Sequence, residues 1–164
     1  MPPVDGLRVA HSKIHGYGLM TTRAFRAGEI LMYADGVIYP EDAKFDDTYA
    51  LVLPAELDVD GNEAPSMYFD LADQSRWINH SCEPNTEVES TWDPKTTTLQ
   101  AWWVAKRDLV AGEELTYDYA FVGHLAVPCA CGMPGCRGLI VDTDPEELAA
   151  VPEELRPLLR IAAA

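Results

Sequence analysis

Arg76-Trp77-Ile78-Asn79-His80-Ser81-Cys82-Glu83-Pro84-Asn85 is the stretch on which the reading of this chain turns. An apolar pair passes directly into a dense polar run. The hydrogen-bonding side chains of Asn79, His80, Ser81 and Asn85, set beside Trp77 and Ile78, imply a partly buried polar site that needs specific partners. Pro84 stops any helix there. Taken alone, the run reads first as an Asx-rich turn between two strands, and only distant segments change that reading.

The first of these is Cys129-Ala130-Cys131-Gly132-Met133-Pro134-Gly135-Cys136. Three thiols sit in one Gly- and Pro-rich loop with too little apolar sequence to hold itself together, and a tetrahedral zinc ion would close it. Zinc takes four ligands, at about 2.3 Å for sulfur, so one must come from outside the loop. Cys82 is the one remaining cysteine and His124 a nearby rival. Four free buried cysteines are the plainer alternative. The second distant segment is Glu114-Leu115-Thr116-Tyr117-Asp118-Tyr119.

At 164 residues and 48% hydrophobic, the chain suits one well-cored domain. No apolar run approaches the ~20 residues of a membrane span, and Met1-Pro2-Pro3-Val4-Asp5 lacks the features of a signal peptide. These features lead to the expectation of an intracellular protein, cytoplasmic in first place and nuclear in second, with no membrane partner. The formal charge of −15 argues against phosphate-backbone binding, so no direct nucleic-acid partner is expected. It favours a basic partner, although acidic balance is also ordinary for a solvated surface.

Leu7 to Ala10 reads as a strand leading to Gly16-Tyr17-Gly18, whose glycines permit a close backbone approach or an ordinary turn. Phe25 to Tyr33 and Leu109 to Tyr117 form a near-repeat, each a turn at Ala-Gly-Glu feeding a strand that ends in tyrosine. Strands are expected at Tyr49 to Leu53 and Met67 to Leu71, with a turn at Asp60-Gly61-Asn62 between them. Thr86 to Trp92 and Thr97 to Ala105 read as a hairpin around Asp93-Pro94-Lys95, with Trp102 and Trp103 as core and edge packing. Asp144-Pro145 starts a helical tail with Leu148, Val151, Leu155 and Leu158 on one face, interrupted by Pro152 and Pro157. That tail packs on the domain or on a second copy, which makes a dimer through it one expectation.

The motifs together resemble the SET-domain family of protein-lysine methyltransferases. Residues 79–85 are similar to the family's Asn-His-Ser-Cys-x-Pro-Asn motif, 114–119 to its C-terminal catalytic motif, 129–138 to the post-SET zinc segment, and 16–18 to its Gly-x-Gly. The resemblance covers about residues 6 to 141. It implies a mainly β fold, the β-clip-like SET fold of short strands with a knotted C-terminal segment, few short helices and a post-SET zinc loop. The expected organisation is a SET domain over 6–124 with an insert at about 40–74, a zinc segment over 125–141 and a tail over 142–164.

The resemblance implies methyl transfer from S-adenosyl-L-methionine to a lysine amine in a basic protein, histone-like or ribosomal in type. By the same resemblance His15, Gly16, Tyr17, Asn79 and His80 hold the donor, and Leu139 packs on its adenine. Cys82 becomes the fourth zinc ligand beside Cys129, Cys131 and Cys136. Tyr119 is the catalytic tyrosine, Tyr117 the residue whose hydroxyl limits the product to mono- or dimethyllysine, and Tyr33 a wall of the lysine channel. Ala34-Asp35-Gly36 departs from the family's x-Gly-Glu after that tyrosine. The acidic insert residues Glu41, Asp42, Asp46, Asp47, Glu56, Asp58, Asp60 and Glu63 face either a basic peptide or water. The competing functions are an idle SET domain acting as a zinc-stabilised binding module and a zinc-ribbon nucleic-acid module, the second opposed by charge.

Overall fold

The computed structural model describes residues 4–53, 66–93 and 95–161; the turn expected at Asp60-Gly61-Asn62 and the acidic Glu56, Asp58, Asp60 and Glu63 fall outside them. The fold begins with a hairpin of β1 (Leu7–His11) and β2 (Tyr17–Thr21), paired from Leu7↔Thr21 to His11↔Tyr17. Its loop is held by Ser12 Oγ, which accepts from the N–H groups of Ile14 and His15 at 2.8 and 3.2 Å. Gly16 closes the loop at φ 51, a left-handed conformation open to glycine at little cost.

Two three-stranded antiparallel sheets follow. β3 (Ile30–Tyr33), β8 (Thr86–Asp93) and β9 (Thr98–Ala105) form one, in the order β3-β9-β8. β4 (Gly36–Pro40), β5 (Ala50–Leu53) and β6 (Met67–Leu71) form the other, in the order β4-β6-β5. Burial alternates residue by residue along β8, with Glu87, Glu89 and Thr91 outward, as a one-sided strand requires. The expected strands and hairpin are therefore present, with ends moved by at most one residue.

The near-repeat is a physical pair. Phe25 and Leu109 exchange backbone bonds of 3.0 and 2.9 Å, so the two turns lie against each other. In each, the glutamate accepts from the backbone N–H three residues earlier, Glu29 from Arg26 at 2.9 Å and Glu113 from Val110 at 2.8 Å. Each glutamate also pairs with an arginine six residues upstream, Arg23 at 3.0 Å and Arg107 at 2.7 Å.

The second turn feeds a segment lodged between distant parts of the chain. Leu115 donates to Leu19 at 2.8 Å on one side, and on the other β10 (Thr116–Tyr117) pairs in parallel with β7 (Asn79–His80). Asn85 fastens this arrangement, its Oδ1 accepting from Thr116 N–H at 2.9 Å and its Nδ2 donating to the Glu114 carbonyl at 2.8 Å. The core below is Leu19, Ile78, Trp103, Leu109 and Leu115, all within 1% of full burial. Truncating Trp103 there would cost about 3–5 kcal/mol.

A second, smaller core joins the zinc-loop region to the tail. β11 (Val127–Pro128) and β12 (Leu139–Ile140) pair, and Ala126, Leu139, Val141 and Val151 are buried together with Leu148, Leu155 and Leu159 around them. Asp144 caps α1 (Pro145–Ala149), its carboxylate accepting from Glu146 N–H at 2.8 Å. Leu158 is exposed and Leu159 points inward, contrary to the expected face. Pro152 and Pro157 divide the tail into α1 and a 3-10 turn, Arg156–Leu158, and the helical period does not carry across the break. Of the tail's apolar residues, Leu148, Val151, Leu155 and Leu159 join this chain's own cluster, while Leu158 stays at the surface.

Candidate active site and metal centre

The β7–β10 register sets Thr116 beside Asn79 and Tyr117 beside His80, so the central motif and the tyrosine segment become neighbours. Tyr119 donates its hydroxyl to the Ile78 carbonyl at 2.8 Å. Its ring lies 4.5 Å from Tyr117, which meets Trp103 edge-on at 4.7 Å. Burial pushes the Tyr119 phenol up to about 12 and Tyr117 well above the ordinary value. Both are neutral near pH 7, and neither serves there as a phenolate base.

Asn79 ties the Gly16-Tyr17-Gly18 loop to this centre. Its Nδ2 donates to the carbonyls of His15 at 3.1 Å and Tyr17 at 2.8 Å, and to Glu114 Oε1 at 2.9 Å. Glu114 also accepts from Ser12 Oγ at 2.6 Å, and a Cβ added at Gly18 would collide with that carboxylate. A side chain at Gly18 would therefore push the Glu114 carboxylate off its bonds to Ser12 and Asn79. Tyr17, half exposed, stacks on His11 at 4.8 Å and meets Trp77 edge-on at 5.8 Å. Trp77 in turn contacts Tyr49, over which the Arg76 guanidinium lies at 4.1 Å.

Arg76 Nε is buried without a hydrogen-bond partner. A buried donor left unmet beside an aromatic wall suits a ligand carrying both an anionic group and a flat apolar ring. The residues present therefore fit S-adenosylmethionine, whose carboxylate and adenine are such groups.

The four cysteines converge, with all Sγ atoms within 4.8 Å of one another. Bonds of about 2.3 Å in a tetrahedron set sulfur atoms about 3.8 Å apart. Cys82 and Cys129 are at 3.8 Å. Backbone N–H groups of Arg137, Cys131 and Gly138 point at the sulfurs of Cys82, Cys129 and Cys136 at 3.4, 3.4 and 3.3 Å, the outer support that zinc thiolates use. The donor set fits zinc. His124 stands outside the group.

His80 links the two centres. Its Nδ1 accepts from Tyr119 N–H at 3.2 Å, which leaves the proton on Nε2, 3.4 Å from Cys82 Sγ. Burial holds the imidazole down to about 4, so it is neutral near pH 7. A second link is Arg137, whose two terminal nitrogens donate to both Asp118 oxygens at 2.7 Å. Asp118 lies between Tyr117 and Tyr119, and Arg137 follows Cys136, so the metal loop grips the tyrosine strand directly.

The structure thus brings together His15, Gly16, Tyr17, Asn79, His80, Tyr117, Tyr119 and the four cysteines. It leaves two named residues elsewhere. Tyr33 is 63% exposed beside Trp102, on the face of the β3-β9-β8 sheet opposite Trp103 and Tyr117. Strand alternation explains the correction: Tyr33 pairs with outward Trp102, and its neighbour Ala34 packs against the core instead. Leu139 has no exposed surface and fills the second apolar cluster rather than a ligand wall. Conversely Arg76, Glu114, Asp118 and Arg137 were not singled out as site residues, although each lies within or next to a quoted motif.

The family profile described as "SET domain" matches residues 16–120. The histone-lysine N-methyltransferase TRX1 of Oryza sativa subsp. japonica is 31% identical over 159 residues, covering 88% of this chain and 14% of that protein. The histone-lysine N-methyltransferase ash1 of Drosophila melanogaster is 35% identical over 138 residues, 76% of this chain and 6% of that one. The crystal structure of KRYPTONITE in complex with mCHG DNA and SAH superposes with a TM-score of 0.64 at 25% identity, covering 82% of this chain and 28% of that one. The chain belongs to the SET-domain family. It spans a small fraction of the length of the curated relatives it matches.

Proposed function

We propose that the chain transfers a methyl group from S-adenosylmethionine to the side-chain amine of a lysine in a protein. The observation that carries this reading is the parallel β7–β10 pair, which joins the donor-side Asn79 and His80 to the tyrosine pair Tyr117 and Tyr119. When bound, the donor supplies a sulfonium-activated methyl carbon, which the lysine nitrogen attacks in line. The C–N bond forms as the C–S bond breaks, sulfur keeps the electron pair, and the amine's proton leaves to water.

A free lysine amine has a pKa near ~10.4 and must enter neutral. The uncharged wall of Tyr117 and Tyr119, backed by the buried Trp103, disfavours the ammonium, which makes a strong base unnecessary. Tyr119, fixed by the Ile78 carbonyl, aligns the reactants, an effect worth up to about 7–11 kcal/mol when the geometry is near attack. Asn79, Glu114 and the Gly16 loop would orient the donor, Arg76 would offer its unmet nitrogen to the donor's carboxylate, and Cys82, Cys129, Cys131 and Cys136 would hold one zinc that ties the 125–141 segment to the 6–124 body.

The preferred substrate in this reading is a Lys-containing segment of a basic protein, supported by the charge of −15. The relatives TRX1 and ash1 are named for histone lysine, and a second KRYPTONITE structure holds an H3(1-15) peptide. These names fit a nuclear setting, and nothing among them favours the cytoplasm. Product number rests on Tyr117, whose hydroxyl would hold a water in the space of further methyl groups and favour mono- or dimethylation. ATX1 of Arabidopsis thaliana, 31% identical over 157 residues, is named a histone H3-lysine(4) N-trimethyltransferase, which makes that number a direct question for experiment. Incubation with radiolabelled S-adenosylmethionine and basic proteins should label lysine in the wild type and not in Tyr119→Phe. Equal labelling by both would overturn the assignment of Tyr119, and none by the wild type that of the activity.

A further inference from the structure

The outer face of the β3-β9-β8 sheet is unlike a solvated sheet surface. Its middle strand turns Trp102 outward, and Ile30 and Tyr33 flank it from β3, 41% and 63% exposed. Tyr33 and Trp102 lie 6.3 Å apart with their rings tilted by 51°, the tyrosine well exposed and the tryptophan partly so. Along the other side β8 presents Glu87 and Glu89, and the whole surface is an open concavity of about 660 Å³. Its lining carries two carboxylates and the ammonium of Lys106, so the surface is net negative.

Glu89 accepts from Trp102 Nε1 at 2.9 Å, which holds the indole in place and keeps a carboxylate at its edge. An aromatic face with a carboxylate beside it recognises an organic cation, by attraction to the ring quadrupole and by direct charge pairing. The cleft lies on the far side of the sheet from Trp103 and the Tyr117 ring packed on it.

We propose that this concavity is a second, non-catalytic binding site that takes an arginine or lysine side chain from a basic stretch of the protein substrate, away from the lysine that is methylated. The source of the occupant rests on the methyltransferase reading. The cationic chemistry of the site does not. Charge complementarity selects this occupant, because the cleft is net negative on a chain of charge −15.

The test uses the full zinc-loaded protein and a probe that cannot enter a lysine channel, the lysine-free peptide (Arg-Ser)6, with (Glu-Ser)6 as control. Binding is read by calorimetry at low and at physiological salt. The probe should bind the wild type and weaken with salt, and (Glu-Ser)6 should not bind. Glu87→Gln/Glu89→Gln keeps the acceptor for Trp102 and should bind (Arg-Ser)6 about tenfold more weakly, with an unchanged melting temperature. Tyr33→Leu should weaken binding by a similar factor. The glutamate pair should leave kcat on a short H3(1-15) peptide unchanged while raising KM for a longer basic protein. Less than a twofold change in (Arg-Ser)6 affinity in both variants overturns the site. Intact peptide binding with no methyl transfer by the wild type overturns the methyltransferase reading instead, and an unchanged KM for the long substrate rejects the assignment of the occupant to the substrate.

Discussion

Replacing Arg137 by methionine tests whether the metal loop positions the tyrosine strand or only stabilises it. Arg137 makes two 2.7 Å bonds to Asp118, with its own side chain 10% exposed and that of Asp118 32% exposed. Removing one partner of a buried pair costs about 3–5 kcal/mol, and water reaching Asp118 offsets part of it, leaving about 2–3 kcal/mol. For a domain of this size that lowers the melting temperature by about 4–12 °C. The segment carrying Tyr117 and Tyr119 would lose its anchor, so kcat should fall about 10- to 100-fold, while KM for S-adenosylmethionine changes less than about threefold. Assays belong well below the new melting temperature, with zinc held constant because bound metal shifts apparent stability. The double variant Arg137→Met/Asp118→Asn removes the stranded charge and should recover part of the stability without recovering kcat. If kcat returns together with stability, the pair is only structural and the positioning argument fails.

Other perturbations bear on separate parts of the site. Tyr117→Phe should raise the fraction of the most methylated product, read by mass spectrometry; an unchanged distribution would reject the role given to its hydroxyl. Chelation should release one zinc per chain, expose four thiols to a colorimetric reagent and weaken binding of the methyl donor; donor binding at full strength would sever the metal from the pocket. Glu113 has its carboxyl held below the usual 4.5, chiefly by the Arg107 hydrogen bond. Its stabilising effect is therefore complete above that value and fades as pH falls through the folded one. Glu113→Gln should cost about 1 kcal/mol near neutral pH, with the gap to wild type narrowing as pH falls below the ordinary carboxyl value in chemical denaturation; a gap independent of pH would refute this.

Much of the site was legible because its chemistry is written in short runs. Asn79, His80 and Cys82 stand within four residues, and the three loop cysteines within eight. Cys82 reaches them as the resemblance implied. What stayed hidden was parity and partnership. Tyr33 looks like a channel residue in the linear string, but one step along a strand reverses the side a residue faces, and Ala34 takes the inner position. Asp118 and Arg137 each look like ordinary surface charges, and only the fold shows that they meet. Leu158 fits a helical period that Pro152 and Pro157 interrupt, so Leu159 faces inward instead. The paired turns at Gly28 and Gly112 were visible as an echo, but nothing in the string said that they touch.

The slot between β2 and β7 has a consequence for how the protein comes off the ribosome. Residues up to 105 can pair into their hairpins as they emerge, but the strip that fills the slot is made later and the thiols that fasten it later still. A nascent chain therefore carries an open seam lined by Leu19 and Ile78 until synthesis passes Cys136, and a truncation short of that point should leave a sticky, aggregating body rather than a smaller folded domain.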